Sequence, residues 1–149
     1  MAFVTDLFRA LLGKRGGSTA PPPAAPRRKV TKVKRDLLAL IYEASKDTHP
    51  HEFAAGLRAE GDTLTELVIV PTESGPVSAH LRLWQLPIDR SVVGTVHSHP
   101  GSIPFPSEAD KDLFRQFGHT HIIVAEPYRT GTWRAWDHNA QPVKLEVVD

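Results

Sequence analysis

The chain has 149 residues, 40% of them hydrophobic and 23% charged, and a formal net charge of +1. That suffices for one globular domain with a sizeable core, and it gives no global electrostatic case for a nucleic-acid partner. With no cysteine in the chain, disulfide frameworks, thiolate zinc fingers and cysteine nucleophiles are excluded, and histidine and carboxylate remain as metal ligands. The same lack suits a reducing, cytoplasmic setting.

Phe3, Val4, Leu7, Phe8, Leu11 and Leu12 recur at three- and four-residue steps, which predicts a short amphipathic helix over residues 1–13. It is too short to span a bilayer, and Asp6 and Arg9 interrupt any signal-peptide core. It reads as a docking helix or appendage; a peripheral membrane-surface anchor or a partner-binding helix is the alternative. Residues 14–29 form a linker, Gly-rich and then Pro-rich, and residues 30–149 form the main domain. Arg27, Arg28, Lys29, Lys32, Lys34 and Arg35 make a basic run, read as a solvated face.

Leu37, Leu38, Leu40, Ile41 and Ala44 predict a helix from about Lys34 to Lys46, ended near His49-Pro50. A strand is expected from Glu52 to Gly61 and a second from Leu64 to Val70, with Gly61-Asp62 as the turn. Val77 to Trp84 alternates as a half-buried strand, and the stretch from Leu86 to Arg90 is irregular. Past the central stretch, a helix is expected from Glu108 to Phe117 with Gly118 at C′. Strands should follow at His121–Ala125, Gly131–Asp137 and Val143–Val148. Strands and helices mix without regular βαβ alternation, so the fold class is α+β with a mixed, largely antiparallel sheet.

The central stretch is the apolar run from Val92 to Val96, which ends in His97-Ser98-His99-Pro100. In a strand, residues two apart share a face, so His97 and His99 present two imidazoles side by side. A loop pinned by Pro104 and Pro106 leads to a helix that opens with Ser107 and carries Asp110 in its first turn. Two imidazoles and one carboxylate, with no fourth protein ligand nearby, make a catalytic zinc site with a position left for water. Ser107-x-x-Asp110 is also a capping-box pattern. A hydrolase of this kind needs a carboxylate to move protons. Spacing leaves Glu108, Asp112, Glu43, Glu52, Glu60, Glu66 and Glu73 as candidates. His119-Thr120-His121 repeats the paired spacing but lacks a carboxylate at a suitable distance, and His49 and His51 read as turn residues near the site. There is no G-x-S-x-G elbow around Ser98 and no H-E-x-x-H.

His97-x-His99-Pro100, six residues, then Ser107-x-x-Asp110 resembles the signature of the JAMM (MPN+) zinc metalloproteases. The resemblance runs from about Val30 to the C-terminus and is nearest the small stand-alone archaeal members, the desampylase-like proteins. It implies a curved sheet flanked by helices, of cytidine-deaminase-like architecture, and one Zn2+ held by His97, His99 and Asp110. Pro50-x-Glu52-x-x-x-Gly56-Leu57 resembles the family's early-strand glutamate, which implies Glu52 as general base, with Ser107 hydrogen-bonding the water or the developing oxyanion. The activity implied is hydrolysis of the isopeptide bond between the C-terminal glycine of a ubiquitin-like modifier and a protein lysine. Trimming of a sulfur-carrier protein and a non-catalytic MPN-like scaffold are the alternatives. The segment from His80 to Ile88, with Trp84, Gln85 and Leu86, is the candidate edge against which the modifier's tail pairs. No long insertion of the kind that carries a second zinc follows the helix start, so one zinc and no strong linkage selectivity are expected.

Overall fold

The structure, a computed structural model, describes residues 29–69 and 90–149. The expected helix over 1–13, all but the last residue of the linker, the strand from Val77 to Trp84, and Glu73, Trp84, Gln85 and Leu86 lie outside the described residues. Those described form β1 (Lys32–Lys34), α1 (Arg35–Thr48), β2 (Ala54–Glu60), β3 (Thr63–Val68), β4 (Val92–His99), α2 (Glu108–Gln116), β5 (His121–Ala125), β6 (Trp133–Trp136), β7 (Pro142–Val143) and β8 (Glu146–Val148).

All eight strands share one curved, mixed sheet in the order β7-β6-β5-β4-β2-β3-β1-β8. β2/β3, β2/β4, β5/β6 and β6/β7 pair antiparallel, while β1/β3, β1/β8 and β4/β5 pair parallel. Register shifts near Arg58 on both sides of β2 bend that strand. α1 buries Leu37, Leu38, Ile41 and Ser45 on one stripe. Leu37, Leu38 and Ile41 pack with Val33, Ala55, Leu57, Leu64, Val96, Ile122 and Val124 into the main core. The helix stops at His49, because a residue before proline is pushed out of the helical region. A smaller cluster of Phe114, Ile123 and Trp136 lies under α2.

The parallel β4/β5 pair needs a crossover, and α2 supplies it. The first turn of α2 is thereby brought to the C-terminal end of β4. Two glycines make this crossover tight. A Cβ on Gly94 would fall on the Thr120 carbonyl, and one on Gly118 (φ +72°) would meet the Val93 carbonyl. The amides of His119 and Thr120 donate to that Val93 carbonyl at 2.8 and 3.3 Å.

Several elements differ from expectation. The strand expected from Glu52 begins at Ala54, as β2, leaving Glu52 and Phe53 in the connection ahead of it. The expected strand over Val143–Val148 is two strands at opposite edges of the sheet. Leu145, 7% exposed, turns into the main core at the break, and β8 then pairs with β1. The basic run holds a strand that charge alone hides: Val33 is fully buried while Lys32 pairs with Asp62 at 3.3 Å and Lys34 donates to the Asp149 carbonyl at 2.8 Å. Among the described residues, no helix is long and apolar enough to cross a membrane.

Candidate metal centre

β4 delivers both histidines to one face, and His97 opposes Ala54 on β2 and Ile123 on β5. Ser107 caps α2: its Oγ accepts from the Asp110 amide at 3.2 Å, and its own amide donates to Asp110 Oδ2 at 2.9 Å. The expected capping box is therefore present, and it aims the Asp110 carboxylate at the strand end.

The three candidate ligands converge. His97 Nε2 lies 3.1 Å from His99 Nε2 and 3.2 Å from Asp110 Oδ1, and His99 Nε2 lies 3.2 Å from Asp110 Oδ2. Each imidazole thus meets a different oxygen of the Asp110 carboxylate, and one ligand atom from each of the three residues lies within 4.8 Å of the others, close enough for all three to hold one metal ion. His99 Nδ1 is 3.1 Å from the Ile103 carbonyl. A carbonyl only accepts, so Nδ1 carries a proton, which leaves Nε2 as the nitrogen that would ligate a metal in place of its own proton. The three side chains are 8%, 18% and 17% exposed, so the site is shielded but open on one side. Burial alone would raise the Asp110 carboxyl; hydrogen bonds from His97 and His99 and from the Ser107 amide outweigh it and hold it well below the ordinary range. The Asp110 hydrogen bond in turn raises His99. These residues are the group among those described that fits a metal ion, and their chemistry fits a single Zn2+ with a fourth position free for water.

The carboxylate candidates sort by geometry. Glu108 pairs with Lys111, Asp112 with Arg115, Glu43 with Lys46 and Glu66 with Arg58, all at exposed or half-exposed positions along their own helix or hairpin. Glu52 is half-buried. It is close enough to His99 and to Tyr128 to act electrostatically on both, as the smallest of the causes named for each.

Two residues at the site carry no sequence signal of their role. Ser98, fully buried, alternates away from the histidines. Its Oγ accepts from the Phe53 amide at 2.8 Å and its amide donates to the Phe53 carbonyl at 2.9 Å, which ties the residue after Glu52 to the metal strand. Tyr128, 3% exposed, bonds His49 through its hydroxyl at 2.8 Å. No local pattern links positions so far apart in the chain. His51 is exposed. His121 is a core histidine: it stacks on Phe114 with centroids 4.2 Å apart, and its Nδ1 accepts from the Thr95 amide at 3.2 Å. Burial first, then the neighbouring His97, His119 and His138, lower its pKa to about 3.

An open three-ligand metal site at the end of a β-strand, completed by a helix N-terminus, is that of a zinc-hydrolase class. A family model described as prokaryotic homologues of the JAB domain matches residues 34–139, and the chain belongs to that family. A probable metalloprotease of Haloferax volcanii is 38% identical over 133 residues, which cover 82% of each chain. A solved structure described as a JAMM metalloprotease-like zinc site in the proteasome and signalosome is 38% identical, with TM-score 0.65, covering 81% of this chain and 100% of its own. A JAB1/MPN domain protein from Archaeoglobus fulgidus is 41% identical, with TM-score 0.67, covering 80% of this chain and 100% of its own.

Proposed function

We propose that the chain is a zinc-dependent isopeptidase that hydrolyses the bond between the C-terminal glycine of a ubiquitin-like modifier and a protein lysine. The convergence of His97, His99 and Asp110 within 3.2 Å of one another carries the metallohydrolase part of this reading. The relatives named above support its peptidase part. Zinc, when bound by these three residues, supplies a Lewis acid that polarises the scissile carbonyl and brings the pKa of water to about 7.

The rest is work for the chain's own side chains. Glu52 accepts the proton of the attacking water and returns it to the lysine amine as that amine leaves. The Ser107 hydroxyl accepts from the Asp110 amide in its capping role. Its own proton is thus free to be donated to the carbonyl oxygen as that oxygen gains charge. The Ile103 carbonyl keeps the His99 ring in the tautomer that ligates. The modifier's tail is read as an added strand along Trp84, Gln85 and Leu86, where glycine admits the close passage that a Cβ would block.

A direct trial is incubation of the purified protein with a ubiquitin-like modifier conjugated to lysine, with and without chelator. Release of free modifier that stops with chelator is expected. An intact conjugate beside a trimmed C-terminal extension of a sulfur-carrier protein would shift the assignment to processing.

A further inference from the structure

Glu52 sits in the connection between α1 and β2, outside both elements. A side chain on irregular backbone is only as well placed as the anchors around it. On one side the anchor is Ser98, which holds Phe53 through two hydrogen bonds to the metal strand. On the other side, His49 and His51 donate their amides to the Ser45 and Thr48 carbonyls, at 3.0 and 2.9 Å. Those bonds tie the connection to α1 but not to the metal ligands.

The missing tie runs through the loop after β5. Glu126 donates its amide to the carbonyls of Gly101 and His99 at 3.0 and 3.3 Å, which fixes this loop to the end of the metal strand. Two residues on, Tyr128 donates its amide to the Ala125 carbonyl at 2.8 Å and turns inward with φ +56°, a left-handed backbone that bulky residues seldom adopt. Its hydroxyl then meets His49 Nδ1 at 2.8 Å, with the two rings edge to face at 5.7 Å. One loop thus grips the metal strand with its backbone and the Glu52 connection with a side chain. Burial, then Glu126 and Glu52, raise the Tyr128 phenol, so it stays a neutral hydrogen-bonding group across the working pH range. A phenylalanine would fill the same core space and keep the ring contact; only the hydroxyl gives His49 a hydrogen bond.

We infer that Tyr128, acting through His49, is a positioning residue that sets where Glu52 stands relative to His97, His99 and Asp110. The inference rests on Glu52 as the base. Tyr128→Phe removes the hydroxyl and keeps the packing. It should lower kcat by 10–100-fold, the range that a small misplacement of a reacting group costs, with KM and zinc content unchanged. In the metal-free protein, the amides of His51 to Phe53 should exchange at least about tenfold faster once this tie to the core is cut, while those of β5 stay protected. His49→Ala should reproduce the kcat loss, and the double variant should be no worse than either. In a Glu52→Ala background, Tyr128→Phe should change nothing further. Wild-type kcat or wild-type exchange in Tyr128→Phe overturns the inference, as does an undiminished effect in the Glu52→Ala background. Full turnover by Glu52→Ala sinks the base assignment itself, and this inference with it. An inactive Glu52→Ala beside a fully active Tyr128→Phe sinks this inference alone.

Discussion

The two faces of the sheet are made by the same strands and do different work. Toward α1, β4 and β5 present Val96, Ile122 and Val124, all fully buried in the main core. Toward α2, the alternate residues of the same strands are Thr95, His97, His99, His121 and Ile123. The period of two thus lets one strand carry packing on one side and chemistry on the other. Substitutions one residue apart at Val96 and His97 should therefore have unlike effects: loss of stability from the first, loss of metal from the second.

The largest effect on turnover is expected from Glu52→Ala, in the connection ahead of β2. It removes no core atom, so thermal stability and zinc content should hold while turnover of a conjugate falls by about 10²–10⁴-fold, the range for general acid–base assistance. On the α1 side, Ile41→Ala empties a fully buried position in the main core. Chemical denaturation should show a loss of about 2–5 kcal/mol. The zinc content of whatever fraction stays folded should be unchanged. If Ile41→Ala instead released metal from folded protein, the two faces would not be separable.

His121 tests the boundary, because it lies on the chemical face but serves packing. Its folded pKa of about 3 is below the ordinary value of 6.5. Between those values the unfolded chain binds the proton and the folded chain does not. Stability from this group is therefore complete above pH 6.5 and drains away as pH falls toward 3. The loss between pH 7 and pH 4 is on the order of 3 kcal/mol. His121→Phe, which keeps the stack on Phe114, should flatten that part of the acid limb relative to wild type in urea titrations of the metal-free protein. A variant whose acid limb matches wild type would show that other groups set it.

The smallest effect on stability belongs to the helix start, although the loss of the Ser107 hydroxyl should still slow turnover. Ser107→Ala deletes a cap worth about 1 kcal/mol. Zinc should remain bound, because the bond that steadies Asp110 Oδ2 comes from the Ser107 backbone, which alanine retains. Loss of metal in this variant would show that the hydroxyl, and not the backbone, orients the carboxylate.

The contrast between regions also explains what could be read from sequence. The stretch from Val92 to Asp110 is contiguous: the strand period pairs the histidines, the prolines limit the loop, and the capping box sets the carboxylate. Ligands, strand and helix were legible there because every spacing that matters is local. β1 was not, nor was the break that divides the expected Val143–Val148 strand into β7 and β8. β1 is three residues long, and what makes it a strand is its parallel pairing with β3 and β8, both distant in the chain. Lys32 and Lys34 looked like a charge run because their partners, Asp62 and Asp149, lie far off in sequence. The helix before His49-Pro50 ran two residues past its expected end, since propensity marks a helix end less sharply than the proline does. The parts played by Ser98 and Tyr128 were hidden for the same reason as β1: their partners, Phe53 and His49, are set by the fold and not by spacing.

The central claim is that His97, His99 and Asp110 together hold one zinc. Elemental analysis of purified wild-type protein and of a His97→Ala/His99→Ala variant, each after exposure to zinc and removal of the excess, addresses it most directly. One zinc per chain in the wild type and none in a folded double variant is the predicted result. Zinc retained by the double variant at the wild-type level would contradict the account.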